Sequence, residues 1–492
     1  MQLSPMEAAK DDLAIIAAAM FVVFANLCAW SMLADGDTAW HLAAGQWIIA
    51  HRAIPVTDPF SLTAAGAPWI AHEWLAEAVM ALAYAGGGWS GVSLLFAFAG
   101  TSLFLIVSLH LRRWLPPLAV FAVLIVLFLI LQPFLLARPH MLAWPLLALW
   151  VLGLFHAREQ SRPPAFILLP LLIVWANLHG SFILGILLIG PFAFEALVAE
   201  PDKRRAFLGW SFFGFLALGA GCLTPHGPTG LVFPLQVSTM NSLPLIREWQ
   251  ATDLLQPTAF SLALAAGLIF AIWRGLKVPP LRLLLLLGLL VMALQHQRHQ
   301  AVFAIIATIV LAEPLAACIR PLASPKSSFL TATRQYKLQV GLFAALLLMI
   351  AAARLAVPMA PKDSMSVPAS ALAVLPDRLK PVPVFNYYDF GGALILAGVR
   401  PFIDGRADLY GDSFVQSYSR MADGDMALFR QAQQRWKIGW VILAPNNGLT
   451  ARIKADPEWR TLYENHNSVV IEYVGKRDRQ SRLLGQPDGL PI

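Results

Sequence analysis

The amino-acid sequence predicts a polytopic α-helical membrane protein of about eleven transmembrane helices, followed by a small C-terminal α/β soluble domain. Three observations predict this. First, the 492-residue chain is 58% hydrophobic and 13% charged, with a mean hydropathy of +0.63, whereas an ordinary soluble domain is roughly 45–50% apolar and about 25% charged. That excludes a soluble enzyme of this size. Second, charge is unevenly spread. Residues 1–353 hold 19 basic and 15 acidic side chains, while the far shorter 354–492 holds 17 and 14. The chain therefore divides into a membrane body, 1–356, and a water-facing domain, 357–492, long enough to build its own core. Third, the basic residues of the body alternate between loops in a way that orients it.

A spanning helix needs about 20 mainly apolar residues. Candidate runs are 13–34, 89–109, 118–136, 142–155, 165–178, 182–198, 206–223, 258–273, 281–295, 301–319 and 338–356. The runs at 142–155 and 165–178 are short, and are read as tilted, extended or partly re-entrant. The first run is read as a retained anchor, because Lys10 set against Glu7, Asp11 and Asp12 is a poor signal-peptide start. With the N-terminus in the cytoplasm, the inside loops carry fifteen Lys and Arg residues. The outside loops carry four: Arg52, Arg138, Arg247 and Arg298. This positive-inside asymmetry sets the orientation, and an odd number of spans puts the C-terminal domain outside. The expected location is a bacterial inner membrane, with a cytoplasmic N-terminus and a periplasmic C-terminal domain. The net charge of +7 does not indicate nucleic acid, since the basic residues sit in short clusters between apolar runs. Cys28, Cys222 and Cys318 lie in or beside apolar runs and form no CxxC site or disulfide framework.

The remaining polar residues sort onto the outer face. His41, His51, His72, His140, His179, His226, His296 and His299 fall on outer loops or outer helix ends, as do Asp35, Asp37, Asp58, Glu73, Glu77, Asn177, Glu248 and Asp253. Ionisable groups near a membrane are costly and usually face a cavity or a partner, so their collection on one face predicts a cavity opening outward.

The first outer loop, 35–75, carries most of the carboxylates. Trp40, Leu42, Trp47 and Ile48 have helix-like spacing and predict an interfacial helix over 38–50 with Asp37 at its N-cap. From spacing alone, Asp37 is equally a helix cap and a general base for an acceptor hydroxyl or amine, and the Asp35/Asp37 pair also suits a divalent cation. His72 and Glu73 lie farther along the same loop. Arg138 with His140, and Arg298 flanked by His296 and His299, are candidate phosphate contacts because the guanidinium fork suits oxyanions; snorkelling to lipid headgroups is the plainer alternative. Asn177 and His179, followed by Gly180, line the same cavity or form a polar helix terminus with a glycine stop.

After the last run, prolines from Pro358 to Pro383 punctuate a linker and a short helix. Val382–Asn386, Arg400–Ile403, Gly439–Leu443 and Val469–Tyr473 read as strands, with Gly391–Ala397, Asp412–Met421 and Asp425–Trp436 as helices between them. The loops Asn386–Gly392 and Asp404–Asp408 follow strands. Each either contacts a ligand or forms a tight turn, the second with an internal Asp–Arg pair.

The Asp-Gly-Asp motif at 35–37 with Trp40 and His41, Asp58-Pro-Phe-Ser61, His72-Glu73-Trp74-Leu75, Arg138-Pro-His140, Asn177-Leu-His179-Gly180 and Phe402-Ile-Asp404-Gly405-Arg406-Ala-Asp408-Leu-Tyr410 together resemble the GT-C superfamily of integral-membrane glycosyltransferases. The likeness is to the bacterial branch related to protein O-mannosyltransferases and lipid A aminoarabinose transferases, and it covers most of the chain. The mannosyltransferase motif is an adjacent Asp-Glu, where this chain has Asp-Gly-Asp. The resemblance implies transfer of a sugar from a polyprenyl-phosphate donor to a lipid, glycan or protein acceptor. It implies Asp37, or less directly Asp35, as catalytic base with His72 and Glu73 nearby. Donor and acceptor contacts would come from Trp40, His41, Arg138, His140, Asn177, His179, His296, Arg298 and His299. A divalent metal, if one is used, would fall to Asp35, Asp37 and Glu73. The alternatives are an oligosaccharide ligase or polymerase with a pyrophosphate-linked donor and a lipid or glycan transporter; the chain shows no internal repeat of the kind many transporters carry.

Overall fold

The computed structural model describes residues 20–319, 345 and 347–475. The chain forms two compact units: Met1–Met32, Ala83–Ser238 and Leu243–Met359 in one, and Leu33–Leu82, Thr239–Ser242 and Ala360–Ile492 in the other. The division differs from a single cut near 356. The whole of the first outer loop, 35–75, assigned by sequence to the membrane body, belongs to the same unit as the C-terminal domain.

The first unit is helical. Each apolar run maps onto helix wherever it is described; runs 13–34 and 338–356 lie partly outside the described residues. Among the described residues, four helices are long and apolar enough to cross a membrane: Trp74–Leu111, Pro117–Phe134, Pro139–Glu159 and Phe182–Ala199. A bent pair, His299–Val310 and Ala312–Ile319, turning by 52°, makes up to five. Leu168–Leu178, Ala259–Arg274, Pro280–Gln295 and Leu347–Ala356 are shorter apolar helices. At 1.5 Å per residue they fall short of a hydrocarbon core about 30 Å thick. Lys203–Gly221 carries the run at 206–223 and starts on an Asp202 cap. Trp74–Leu111 breaks at Gly87 and Gly88, where Gly88 takes a φ of 57°. At the end expected to face the cytoplasm, Arg282 pairs with Glu195 at 3.0 Å and Arg158 with Glu200 at 2.9 Å, so these cations are tied between helices.

The second unit is built on a four-stranded sheet: β1 Val384–Asn386, β2 Trp440–Leu443, β3 Trp459–Glu464 and β4 Val469–Tyr473, in the order β1-β2-β4-β3. β1 runs parallel to β2, with Val384 opposite Trp440, and the other pairings are antiparallel. Fully buried β1, β2 and most of β4 read as short apolar runs, as inner strands do. β3 escapes that reading because it mixes polar and apolar residues without a period of two, and only Trp459 in it is buried. The expected strand Arg400–Ile403 is not in the sheet. Instead, the amides of Phe402 and Ile403 donate to the Asn386 side-chain oxygen at 2.7 and 3.4 Å, and the Asn386 amide donates to the Ile403 carbonyl at 2.8 Å. One buried side chain thus replaces a ladder.

The first-loop segment is stitched to this domain. The Leu62 amide donates to the Pro401 carbonyl at 2.8 Å and the Thr63 hydroxyl to the Phe402 carbonyl at 2.5 Å. The short stretch 239–242 is held too, as the Asn241 and Ser242 amides donate to the Asp412 carboxylate at 3.0 and 2.8 Å. These bonds hold Asp412 below the usual carboxylate range.

Candidate active site

In the second unit, the helix Gly36–His51 starts two residues earlier than its apolar spacing suggests. Asp35, not Asp37, is the N-cap: it has extended dihedrals and accepts from the Thr38 amide at 3.2 Å. Such a cap contributes about 1 kcal/mol. Asp37 lies in the first helical turn, where a carboxylate is favoured by the exposed amides and the helix dipole.

The first turn is seated by glycines. A Cβ on Gly36 would overlap the Asp389 carbonyl, and one on Gly392 would overlap the Gly36 carbonyl. The Asn386–Gly392 loop, a candidate ligand loop by sequence, therefore receives the start of this helix. A Cβ on Gly405 would overlap the Asp37 carboxylate itself. Only glycine lets that carboxylate lie against the 404–405 backbone. Gly405→Ala is expected to displace the carboxylate and to cost activity on the scale of an Asp37 substitution while the sheet stays folded. Unchanged activity with an unchanged circular dichroism spectrum would show that Asp37 does not work from this position.

Trp40 and His41, expected as substrate contacts, are interior instead. Trp40 is 8% exposed and packs with Trp69, Ala71 and Ile395. His41 is 3% exposed, its Nδ1 3.3 Å from Glu77 and its Nε2 3.8 Å from Glu73. Above these aromatics lies Arg406, buried, its guanidinium carbon 4.8 Å from the Trp69 ring centre. It donates to Asp404 at 2.8 and 2.7 Å and to Asp58 at 2.8 Å, and Tyr410 donates to Asp404 at 2.7 Å. Burial pushes Asp404 up, but Arg406 more than offsets this and holds it below the usual carboxylate range. Asp404 and Arg406 thus form the internal pair that the sequence offered as one alternative, with Asp58 of the first loop completing it.

His72 and Glu73 do meet: His72 Nε2 is 3.5 Å from Glu73 Oε1. Burial lowers the His72 pKa, but Glu73 and Asp408 outweigh it and raise it to about 9, so the ring is a cation at neutral pH. Burial raises Asp408, tempered by His72 and Arg406. The three carboxylates expected for a metal are not gathered: Asp35 caps the helix, and Glu73 faces His41 and His72. Among the described residues no group of three or more His, Cys, Asp or Glu is arranged to hold a metal ion. Asp35, Asp37 and Glu73 as placed here do not fit a metal site.

A second polar cluster lies in the first unit. Arg138, at the N-cap of Pro139–Glu159, reaches one oxygen of Glu248 at 3.0 Å; Arg298, at the N-cap of His299–Val310, reaches the other at 3.3 Å. Arg298 also lies over the Trp249 ring, 4.3 Å from its centre. The segment 248–252 is pinned along 294–298: the Arg298 amide donates to the Glu248 carbonyl at 3.0 Å, Gln297 to Gln250 at 3.0 Å and Thr252 to Leu294 at 2.9 Å. The histidines are oriented by carbonyls, which can only accept. His296 donates to Trp249 at 2.7 Å, His299 to Met292 at 3.2 Å and His140 to Phe134 at 2.8 Å. The His140 and His179 rings are 6.3 Å apart, and the His179 ring is held by Ser181 at 2.7 Å. Asn177 serves the backbone, donating to the Ile173 and Leu223 carbonyls at 2.8 and 3.0 Å. The structure thus places Arg138, His140, His179, His296, Arg298 and His299 in one unit and joins the two arginines through Glu248, a carboxylate that sequence reasoning had placed on the outer face without a role.

No protein-family model and no curated protein sequence matches the chain. Among solved structures, it is similar to the archaeal oligosaccharyltransferase AglB from Archaeoglobus fulgidus in complex with an inhibitory peptide and a dolichol-phosphate. That match has 11% identity and a TM-score of 0.57, covering 88% of this chain and 69% of that one. The Archaeoglobus fulgidus oligosaccharyltransferase tethered to an acceptor peptide containing the NVT sequon matches at 14% identity and TM-score 0.55, over 89% and 69%. ArnT from Cupriavidus metallidurans bound to undecaprenyl phosphate matches at 13% identity and TM-score 0.49, over 92% and 97%. These neighbours are membrane glycosyltransferases of the GT-C superfamily. The chain has the fold of the oligosaccharyltransferases among them, a helical membrane protein with a small C-terminal sheet.

Proposed function

We propose that the protein is a glycosyltransferase that moves a sugar from a polyprenyl-phosphate-linked donor to a lipid, glycan or protein acceptor on the outer face of a bacterial inner membrane. The observation that carries this reading is the pair of arginines, Arg138 and Arg298, converging on one partly exposed carboxylate at the starts of two apolar helices. Paired guanidiniums at a membrane helix end suit the phosphate of a lipid whose tail lies in the bilayer. The dolichol-phosphate in complex with the archaeal oligosaccharyltransferase of similar fold supports the same class of donor.

In the proposed reaction the acceptor hydroxyl or amine attacks the anomeric carbon. A new bond forms there as the bond from that carbon to the phosphate oxygen breaks, and its electron pair leaves on the lipid phosphate. Asp37 takes the acceptor proton, and Arg138 and Arg298 stabilise the growing phosphate charge, with His140 and His299 beside them. The N-terminus is cytoplasmic, and 357–492 lies in the periplasm with the first loop, presenting Asp37 to the acceptor.

Because the first neighbours are oligosaccharyltransferases, an oligosaccharide ligase or polymerase is the second reading; it would take a pyrophosphate-linked donor, and both lipids belong in the same assay. Arg298→Ala is expected to raise the donor KM by about 10–100-fold, the range of a lost charge-assisted hydrogen bond, with a smaller effect on kcat. Donor dependence unchanged in Arg298→Ala and Arg138→Ala would overturn the phosphate assignment. Net movement of intact donor across vesicles without sugar transfer would favour a transporter.

A further inference from the structure

Glu248 is a charged group in the first unit's polar cluster that the reaction above does not use, and its geometry is specific. Its two oxygens are divided between two guanidiniums, 3.0 Å from Arg138 and 3.3 Å from Arg298, each through Nη1. Side-chain exposures are 19% for Arg138, 29% for Arg298 and 32% for Glu248, so the trio is reachable. The backbone does not share that freedom. The Glu248 carbonyl is fixed to the Arg298 amide and the Trp249 carbonyl to His296, while Trp249 backs the Arg298 guanidinium. The main chain around this carboxylate is thus fixed, while its side chain, 32% exposed, bridges the two guanidiniums.

A carboxylate bridging two arginines has the form of an oxyanion ligand. It offers two oxygens to two forks, as a phosphate would, and neutralises like charges that would repel each other at the edge of a low-dielectric region. We infer that Glu248 is an internal stand-in for the donor's phosphate: the lipid phosphate enters by displacing the Glu248 carboxylate from Arg138 and Arg298, and after transfer the carboxylate returns and expels the lipid-phosphate product. No covalent bond changes in this exchange. Glu248 is then a positioning residue that keeps the two arginines assembled without lipid and sets the rate of product release. This inference rests on the phosphate role proposed for Arg138 and Arg298.

The test measures binding of undecaprenyl phosphate, by thermal shift and by competition with donor, to the full-length protein in nanodiscs. Wild type, Arg298→Ala, Glu248→Gln and Glu248→Asp are compared. Glu248→Gln keeps the shape and removes the charge, so it is expected to bind the lipid phosphate about tenfold tighter. Donor KM should fall and kcat should fall with it, because product leaves slowly. Glu248→Asp, which keeps the charge but shortens the reach, is expected to tighten binding to a smaller extent, and it stands in if the Gln variant fails to fold. Unchanged or weaker binding in the Glu248 variant that folds, with Arg298→Ala still weakening it, would overturn the stand-in role and leave the phosphate assignment standing. If Arg298→Ala does not weaken binding either, the phosphate assignment itself falls.

Discussion

Asp37→Asn is expected to lower sugar transfer by about 10²–10⁴-fold, the usual contribution of a positioned general base, with donor binding nearly unchanged. The expectation follows from the division of labour at the start of the Gly36–His51 helix. Asp35 is committed to the Thr38 amide and its loss costs a cap, whereas Asp37 sits in the first turn against Gly405. Asp35→Asn should therefore retain most activity, since asparagine also caps helices well. The variants are compared in the same membranes at saturating donor, so that kcat is read separately from KM. If Asp35→Asn is the inactive variant and Asp37→Asn the active one, the roles of the two aspartates are reversed.

Arg406→Ala is expected to be the most damaging substitution for stability, at about 3–5 kcal/mol, because it strands two buried carboxylates that now share one cation. Asp58 and Asp404 are both fully buried, and they come from the first loop and the C-terminal domain. Loss of Arg406 should therefore loosen the first-loop segment from the sheet before the sheet itself unfolds. Limited proteolysis would show this as rapid cleavage in 52–68 with the 384–473 core still protected. Arg406→Lys keeps the charge but not the three-donor fork, and should fall between wild type and Ala. Unaltered protease resistance in Arg406→Ala would mean that the network does not hold the unit together.

The membrane body was legible in the sequence because composition acts locally: an apolar run must be helical in lipid, where backbone groups have no water to bond. The candidate residues stood out as a set for a related reason. In a body with 19 basic and 15 acidic groups among 353 residues, each ionisable side chain on one face is costly enough to stand out. What each does was less visible. Two aspartates one residue apart fit the same helix start, and only the backbone dihedrals at Asp35 decide which one caps it. Trp40 and His41 carry a sugar-binding look, but Trp69 and Arg406 cover the first, and Glu73 and Glu77 engage the second.

Long-range partners left the least trace. Nothing near Glu248 announces Arg138, 110 positions away, and nothing near Asp58 announces Arg406, 348 positions away. For the same reason the sequence drew a domain boundary where charge density changes, whereas the compact unit takes in Leu33–Leu82 as well. Gly405 had been noticed only as part of a motif; its role follows from a carboxylate pressed against its Hα, which no local pattern encodes.

The most direct test of glycosyl transfer from a lipid-linked donor is an analysis of the polyprenyl-linked sugars in membranes of cells carrying the Asp37→Asn protein in place of the wild type. One polyprenyl-phosphate sugar is expected to accumulate, and wild-type protein added to those membranes is expected to consume it with release of the lipid phosphate. A lipid-linked sugar pool identical in the two strains, with none of it consumed by added wild-type protein, would rule out such transfer.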